Sequence, residues 1–407
     1  MRLSLKSKIT VNNFFRIATL SLIFLAALNF IDRYFYCVYL AFFVMLVTPK
    51  RRLRFSYSSI FLLGLAISML IFDPDSRNGI TSMLKPFIFF IAYTMGLSFL
   101  GQENSLEEDY TFTRNIIYAV AGGAFVHFAL NLVINWGSLS RNTIDFWTQS
   151  VLGATGQACL ACICVGIIAA FLFSNVTRKQ KLLALGLLAV ILVYNLVLAG
   201  RTLLSLMIIM CVVAFLYKNV TYKREIIKNT LLLLAAVILV LILYNMDFME
   251  IKTSFEQSNF YARFWGEHDE DLFGNIRLES KKIYLQNMLD YPFGGNQIKS
   301  QYKRYAHDLY LDTYDESGIF AFSFIVAYMI ASIVRLVQCV KSERMTFEMK
   351  QLILCVYVVI NIQFWLEPIM QGMPWLFASY CIIDGTVSYL LHKERLIKSE
   401  GNKIECV

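Results

Sequence analysis

Long apolar runs separated by short polar segments fill almost the whole chain. A helix needs about 20 mostly apolar residues to cross a bilayer. On that template the pattern predicts twelve spans: 14–31, 34–48, 57–72, 82–100, 115–134, 153–174, 182–199, 202–217, 229–245, 318–337, 350–366 and 374–391. The first and second are separated only by Asp32-Arg33, and the seventh and eighth only by Gly200-Arg201. One long polar interval, 246–317, breaks the series between spans nine and ten. The expectation is an all-α, polytopic integral membrane protein. Residues 1–407 form a single membrane domain, and 246–317 form an inserted loop.

Composition supports that reading and charge orients it. The chain is 57% hydrophobic and 16% charged, against about 25% charged in a soluble domain. No apolar block is followed by a small-residue cleavage site, so no removable signal peptide is expected. With the N-terminus inside, the alternate inner segments hold 22 Lys and Arg and the short outer loops hold 4. That positive-inside bias predicts cytoplasmic termini and an outer 246–317 loop. The inner loop 101–114 is discordant, carrying Glu103, Glu107, Glu108 and Asp109. Most of the nine cysteines lie in apolar runs and none in the long loop, which argues against an external disulfide framework. Cys159, Cys162 and Cys164 have metal-like spacing but sit inside a span without a nearby acid or histidine, so they read as packing residues.

The polar loop holds most of the candidate chemistry. Its first part, 246–274, carries Arg263, Trp265 and the cluster His268-Asp269-Glu270-Asp271. Residues 275–290 predict a helix stopped by Pro292 and Gly294-Gly295, with Arg277, Lys281 and Tyr284 on one face and Leu278, Leu285 and Leu289 on another. A second helix is expected to include Lys303, His307 and Tyr310. His307 reads either as an interfacial histidine or as a general base or binding group, suited by an ordinary pKa near 6.5. The stripe Asp308, Asp312 and Glu316 reads either as its support or as a solvated helix face. Arg201 ends a span on the outer side beside Gly200, where a guanidinium can grip a phosphate through two hydrogen bonds. Arg277 and Arg263 can do the same from the loop. Asp73-Pro74-Asp75 has the spacing of some metal-binding carboxylate pairs, but a solvated turn is the better reading. Arg16 and Lys85 read as snorkelling residues, and His127 with Gly122-Gly123 as helix packing. Asp384 lies deep in the last span with no evident partner.

These residues, taken in order, resemble the bacterial O-antigen polymerase and O-antigen ligase superfamily over roughly residues 150–390. The resemblance rests on His307-Asp308 followed by nine residues and Gly318-Ile319-Phe320-Ala321, and on the span-ending Ala199-Gly200-Arg201-Thr202. Arg277 followed by Tyr291-Pro292-Phe293-Gly294-Gly295, and the spacing of Arg263 to Gly274, add to it. Asp308 stands where the family usually has Asn, Ser or Gln, and Ala321 where ligases have Gly, Thr or Tyr. Those departures and the compact loop favour a polymerase over a ligase.

The resemblance implies a metal-independent, inverting glycosyltransferase with a helical GT-C-like membrane fold and no cofactor. Its substrates would be an undecaprenyl-diphosphate-linked oligosaccharide donor and an acceptor sugar hydroxyl, at the outer face of the cytoplasmic (inner) membrane. It implies a chain-length regulator as a further partner, and no nucleic acid. It casts His307 as the base, Arg201, Arg277 and Arg263 as diphosphate ligands, and Asp308, Asp312, Lys281 and Tyr284 as supporting groups. The alternatives are ligation to lipid A-core and, from another class, a flippase or transporter. Transport is disfavoured because few charges are expected within the spans.

Overall fold

The computed structural model describes residues 11–48, 52–100, 105–138, 142–198, 200–223 and 275–404, with short stretches and isolated positions between 227 and 261. Most of the ninth predicted span, together with Arg263, Trp265 and the 268–271 cluster, lies outside them.

The remaining runs form helices close to their predicted places. They are α1 (Val11–Ala27), α2 (Tyr34–Val47), α3 (Tyr57–Phe72), α4 (Ile80–Ser98), α5 (Leu106–Ile134), α6 (Ala154–Phe173), α7 (Arg178–Leu198) and α8 (Arg201–Thr221). The long loop holds α9 (Asn275–Asn287) and α10 (Gln297–Tyr302) and runs into α11 (Leu309–Lys341), followed by α12 (Phe347–Leu366) and α13 (Pro374–Ile404). Among the described residues, six helices are long and apolar enough to cross a membrane: α4, α5, α6, α8, α11 and α12. Helices α2 and α3 are shorter but equally apolar. Side chains such as Phe43, Ile60, Ile330 and Val334 face outward from the bundle. An apolar exterior of that kind suits hydrocarbon.

Helix α6 is the hub, packed against α5, α7, α8 and α12. Helix α13 lies against α4, where Gly96 and Gly385 let the two backbones meet: a Cβ on either would strike a carbonyl of the other helix. Helix α3 packs along α11, and α1 along α5 and α2. A small antiparallel hairpin, β1 (Asn142–Ile144) with β2 (Val151–Gly153), covers one end of α5.

Three expectations change here. The discordant acids of 101–114 open α5. Ser105 and Glu108 form a capping box, with Ser105 Oγ 3.2 Å from the Glu108 amide, and acids in a first turn suit the helix dipole. Asp109 in that turn is ion-paired with Lys393 of α13. His127 does more than pack: its Nε2 lies 2.7 Å from Asp145 Oδ2 beside the hairpin. Burial works to raise the Asp145 pKa, but hydrogen bonds from His127 and Thr148 outweigh it and hold the carboxyl well below the usual range. Asp384 is not alone either. Arg335 of α11 clasps it with Nε at 2.9 Å and Nη2 at 2.5 Å, so the bundle does contain a buried charged pair.

Candidate functional site

The polar segment between α9 and α11 is built on a broken helix. Within α11, Gly318 has φ 76° and ψ −171°, which splits the element into a short amphipathic part, 309–317, and a long apolar part. That region of backbone space is essentially restricted to glycine. The turn 291–295 docks into the break. The Ile319 amide donates to Pro292 O at 2.9 Å, and the Gly295 and Asn296 amides donate to Glu316 O and Asp315 O at 3.1 and 2.7 Å. A Cβ on Gly294 would lie 2.5 Å from Gly318 N, and one on Gly318 would lie 2.6 Å from Pro292 O. Two sequence features, the glycine after His307 and the Pro-Phe-Gly-Gly stretch, are therefore one physical device: Gly294 makes room for the backbone at 316–318, and Gly318 for that of Pro292 and Phe293.

His307 itself is not on a helix, contrary to the expectation of one running through Lys303, His307 and Tyr310. Helix α10 ends at Tyr302, Lys303 turns left-handed at φ 55°, and His307 also has positive φ at 53°. The chain restarts as α11 with Asp308 as N-cap, its Oδ1 accepting from the Tyr310 and Leu311 amides at 3.0 and 3.3 Å. Lys281 Nζ lies 2.9 Å from Asp308 Oδ2 and 2.5 Å from Trp365 O, above the Trp365 ring. One turn earlier on α9, Arg277 bonds Leu366 O and Glu367 Oε1, each at 3.1 Å. The end of α12 thus receives two of the three cations of α9, Arg277 and Lys281.

His307 sits within reach of these charges. Burial lowers its pKa to about 4, with Arg277 and then Lys281 adding to the effect. A neutral imidazole is the result at any physiological pH. Its Nδ1 is buried and makes no hydrogen bond. Burial raises the carboxyls of Asp308 and Glu367, and Lys281 and Arg277 only partly offset it. The arrangement offers a neutral base next to two cations, which is the chemistry needed to accept a proton near a stabilised anion.

Arg201 approaches the same end of the bundle. Gly200 lies against Ala154 at the start of α6, and the next residue, Thr155, stands close enough to Glu367 to act on its carboxyl. Arg277, Lys281, His307 and Asp308 are brought together directly, and Gly200, the residue before Arg201, is linked to them through Ala154 and Thr155 of α6. Tyr284 is buried under the segment, its hydroxyl donating to Arg304 O at 2.8 Å. With Ile298, Ala306 and Leu311 it makes a second small core that holds the His307 strand in place. Of the acidic stripe, Asp308 and Asp312 are buried, so the solvated-face reading does not hold for them. Neither carboxylate oxygen of Asp312 finds a hydrogen bond of good geometry, although the Ala306 amide is close enough to act on it.

Asp73 caps a tight turn, accepting from the Asp75 amide and the Ser76 hydroxyl. The turn reading of Asp73-Pro74-Asp75 therefore holds, but Asp73 is buried. Cys159, Cys162 and Cys164 are free and buried in α6, as packing residues are. Among the described residues no group of three His, Cys, Asp or Glu could hold a metal ion. Sequence reasoning missed Glu367 and Trp365. An acid followed by proline at the end of an apolar run, on the same predicted face as the long loop, is the signal that marks them.

No family model matches this chain, and no curated protein is detectably similar to it.

Proposed function

We propose that the chain is a metal-independent membrane glycosyltransferase that polymerises a surface polysaccharide. It would have twelve spans in a GT-C-like arrangement, cytoplasmic termini and an outward-facing site. The observation that carries this reading is the neutral His307 beside Arg277 and Lys281, at one end of an apolar helical bundle. The donor is an oligosaccharide on a polyprenyl diphosphate, and the acceptor is a sugar hydroxyl. The bond between the anomeric carbon and the diphosphate oxygen breaks, and the leaving diphosphate takes the electron pair. Arg277 and Arg201 hold that growing charge as preorganised donors. The acceptor oxygen bonds to the anomeric carbon and its proton passes to His307. Lys281 and Asp308 fix the strand that presents the imidazole.

The test is His307→Ala in a strain deleted for the gene, with protein levels matched. Loss on the order of 100- to 10,000-fold in polymer formation is expected, the range for a positioned acid–base group. The deletion should leave single-repeat-capped lipid. Lipid-linked polymer that fails to reach its acceptor core would instead mark a ligase. Near-normal polymer in the alanine variant would remove His307 from the chemistry.

A further inference from the structure

Behind the 291–295 turn lies a cavity of about 330 Å³ to which the His307 site gives no task. Its polar lining comes from four separate parts of the fold: Asp75, Ser82 and Lys85 from the loop and turn around the start of α4, Lys299 from α10, Glu316 from α11, and Gln371 from the loop before α13. Lys85 stands at this wall with its Nζ 5.8 Å from the centre of the Phe35 ring, which gives it a place beyond snorkelling. Gln371 reaches Glu316 without closing a hydrogen bond of good geometry, so buried amide atoms are left facing a polar space. Phe89 and Pro86 supply an apolar wall.

That mixture is specific in its chemistry. An anion site would not place three carboxylates, from Asp73, Asp75 and Glu316, around two ammonium groups. A metal site would not commit both oxygens of Asp73 to N–H and O–H donors. An acyl chain would find too many polar groups. Interleaved donors and acceptors beside an aromatic ring match a sugar, which offers hydroxyls on its edges and C–H groups on its face.

Position strengthens the match. Asp308 caps the short part of α11 and Glu316 lies near its end, so eight residues at about 1.5 Å rise set the cavity about 12 Å from the His307 strand. The 365–374 segment joins the two places from the other side, touching Arg277 and Lys281 at one end and lining the cavity at the other. We infer that this cavity is a carbohydrate-binding subsite, which holds a sugar unit of the substrate oligosaccharide at a distance from the bond being made. Its role in the reaction rests on the glycosyl-transfer reading, but its ability to bind sugar does not.

The test uses saturation-transfer NMR on the full-length chain in detergent, with the reducing oligosaccharide released by mild acid from the host's own lipid-linked repeat as probe. Wild type should show transfer to the sugar protons. Asp75→Ala and Lys85→Ala should each weaken binding about tenfold or more, the scale of a lost hydrogen bond to a charged group. Both positions are exposed, so both variants should fold. Ser82→Trp, which fills the cavity, should abolish transfer, and His307→Ala should bind as wild type does. No transfer from wild type, or undiminished transfer from the two exposed variants, overturns the inference. Sugar binding that depends on Lys85 in a protein whose polymer output ignores His307 would sink the reaction proposed above and leave the subsite standing. Polymer output that needs His307 but tolerates Lys85→Ala with unchanged binding would do the reverse.

Discussion

Two arginine–carboxylate pairs in this molecule are chemically alike and structurally opposite. Arg335 and Asp384 meet inside the bundle with side chains 12% and 0% exposed. Asp384 also accepts from the Ser332 and Tyr357 hydroxyls, each at 2.9 Å, while Arg335 donates to Ser58 Oγ at 2.7 Å. The rings of Tyr93 and Tyr328 flank the guanidinium. Arg277 and Glu367 meet at the end of the bundle through one ion-pair contact, with Arg277 30% exposed. Near that pair stands an imidazole nitrogen without a hydrogen bond, on a residue in left-handed backbone. A pair held on both partners by several hydrogen bonds from its own protein is part of the frame. A pair set beside a nitrogen that lacks one has capacity left for a ligand. The same contrast bears on transport: the Arg335–Asp384 pair lies inside the bundle, but it is tied up in hydrogen bonds to its neighbours.

The largest expected effect follows from breaking each pair in turn. Asp384→Ala strands a buried guanidinium and should cost about 3–5 kcal/mol, the usual penalty for halving a buried ion pair. Glu367→Gln keeps the shape and an acceptor for a partly exposed arginine, and should cost about 1 kcal/mol. Thermal unfolding in detergent compares them directly. Equal losses would erase the distinction between frame and site.

How much of this was legible beforehand depends on distance along the chain. The spans are local, since 20 apolar residues declare themselves, and the observed helices fall close to the predicted runs. The Pro-Phe-Gly-Gly turn and Gly318 were visible as residue types, because glycine and proline advertise unusual backbone. Their mutual docking was not, since it joins positions 292 and 319. His307 was visible as a scarce residue, but the stretch Lys303-Arg304-Tyr305-Ala306 contains no glycine or proline to announce that the helix stops. Asp384 had no partner on paper because Arg335 is 49 residues away, and Glu367 was silent because its arginine is 90 away. Non-local pairing of charges is what a one-dimensional reading loses.

A smaller effect sharpens the backbone half of the comparison. Gly318→Ala should cost about 1–3 kcal/mol from the conformation alone, and its methyl must also displace Pro292. Gly186 offers a control: it lies inside the regular helix α7 with open space around its Cβ direction, so Gly186→Ala should be neutral or gain up to about 1 kcal/mol. Unfolding midpoints and polymer output should fall together for Gly318→Ala and stay level for Gly186→Ala. If Gly318→Ala were as stable and active as its parent, the break would not be what positions the His307 strand.

The smallest effect is a shift in a pH profile, and it asks whether the unfilled site is poised as its geometry suggests. His307 is held at about 4, first by burial and then by Arg277 and Lys281. Its folded-state pKa lies below the ordinary value of about 6.5. Protonation therefore disfavours the folded state, and stability falls as pH drops from about 6.5 through about 4. A base must be neutral to work, so kcat/KM, which reports the free protein, should stay level from pH 8 down to about 5 and decline only near 4. Arg277→Ala and Lys281→Met remove cations that push the pKa down, so in each the acid limb should move up. The movement should stop short of 6.5, because burial is the larger cause and remains. Bound diphosphate brings negative charge, which favours the imidazolium, so the limb in kcat should lie above the limb in kcat/KM. The residual activity of the variants suffices, because only the position of the limb is read. A wild-type kcat/KM limb near 6.5 that neither substitution moves would mean that the two cations do not act on the group taking the proton, and His307 would lose its place as the base.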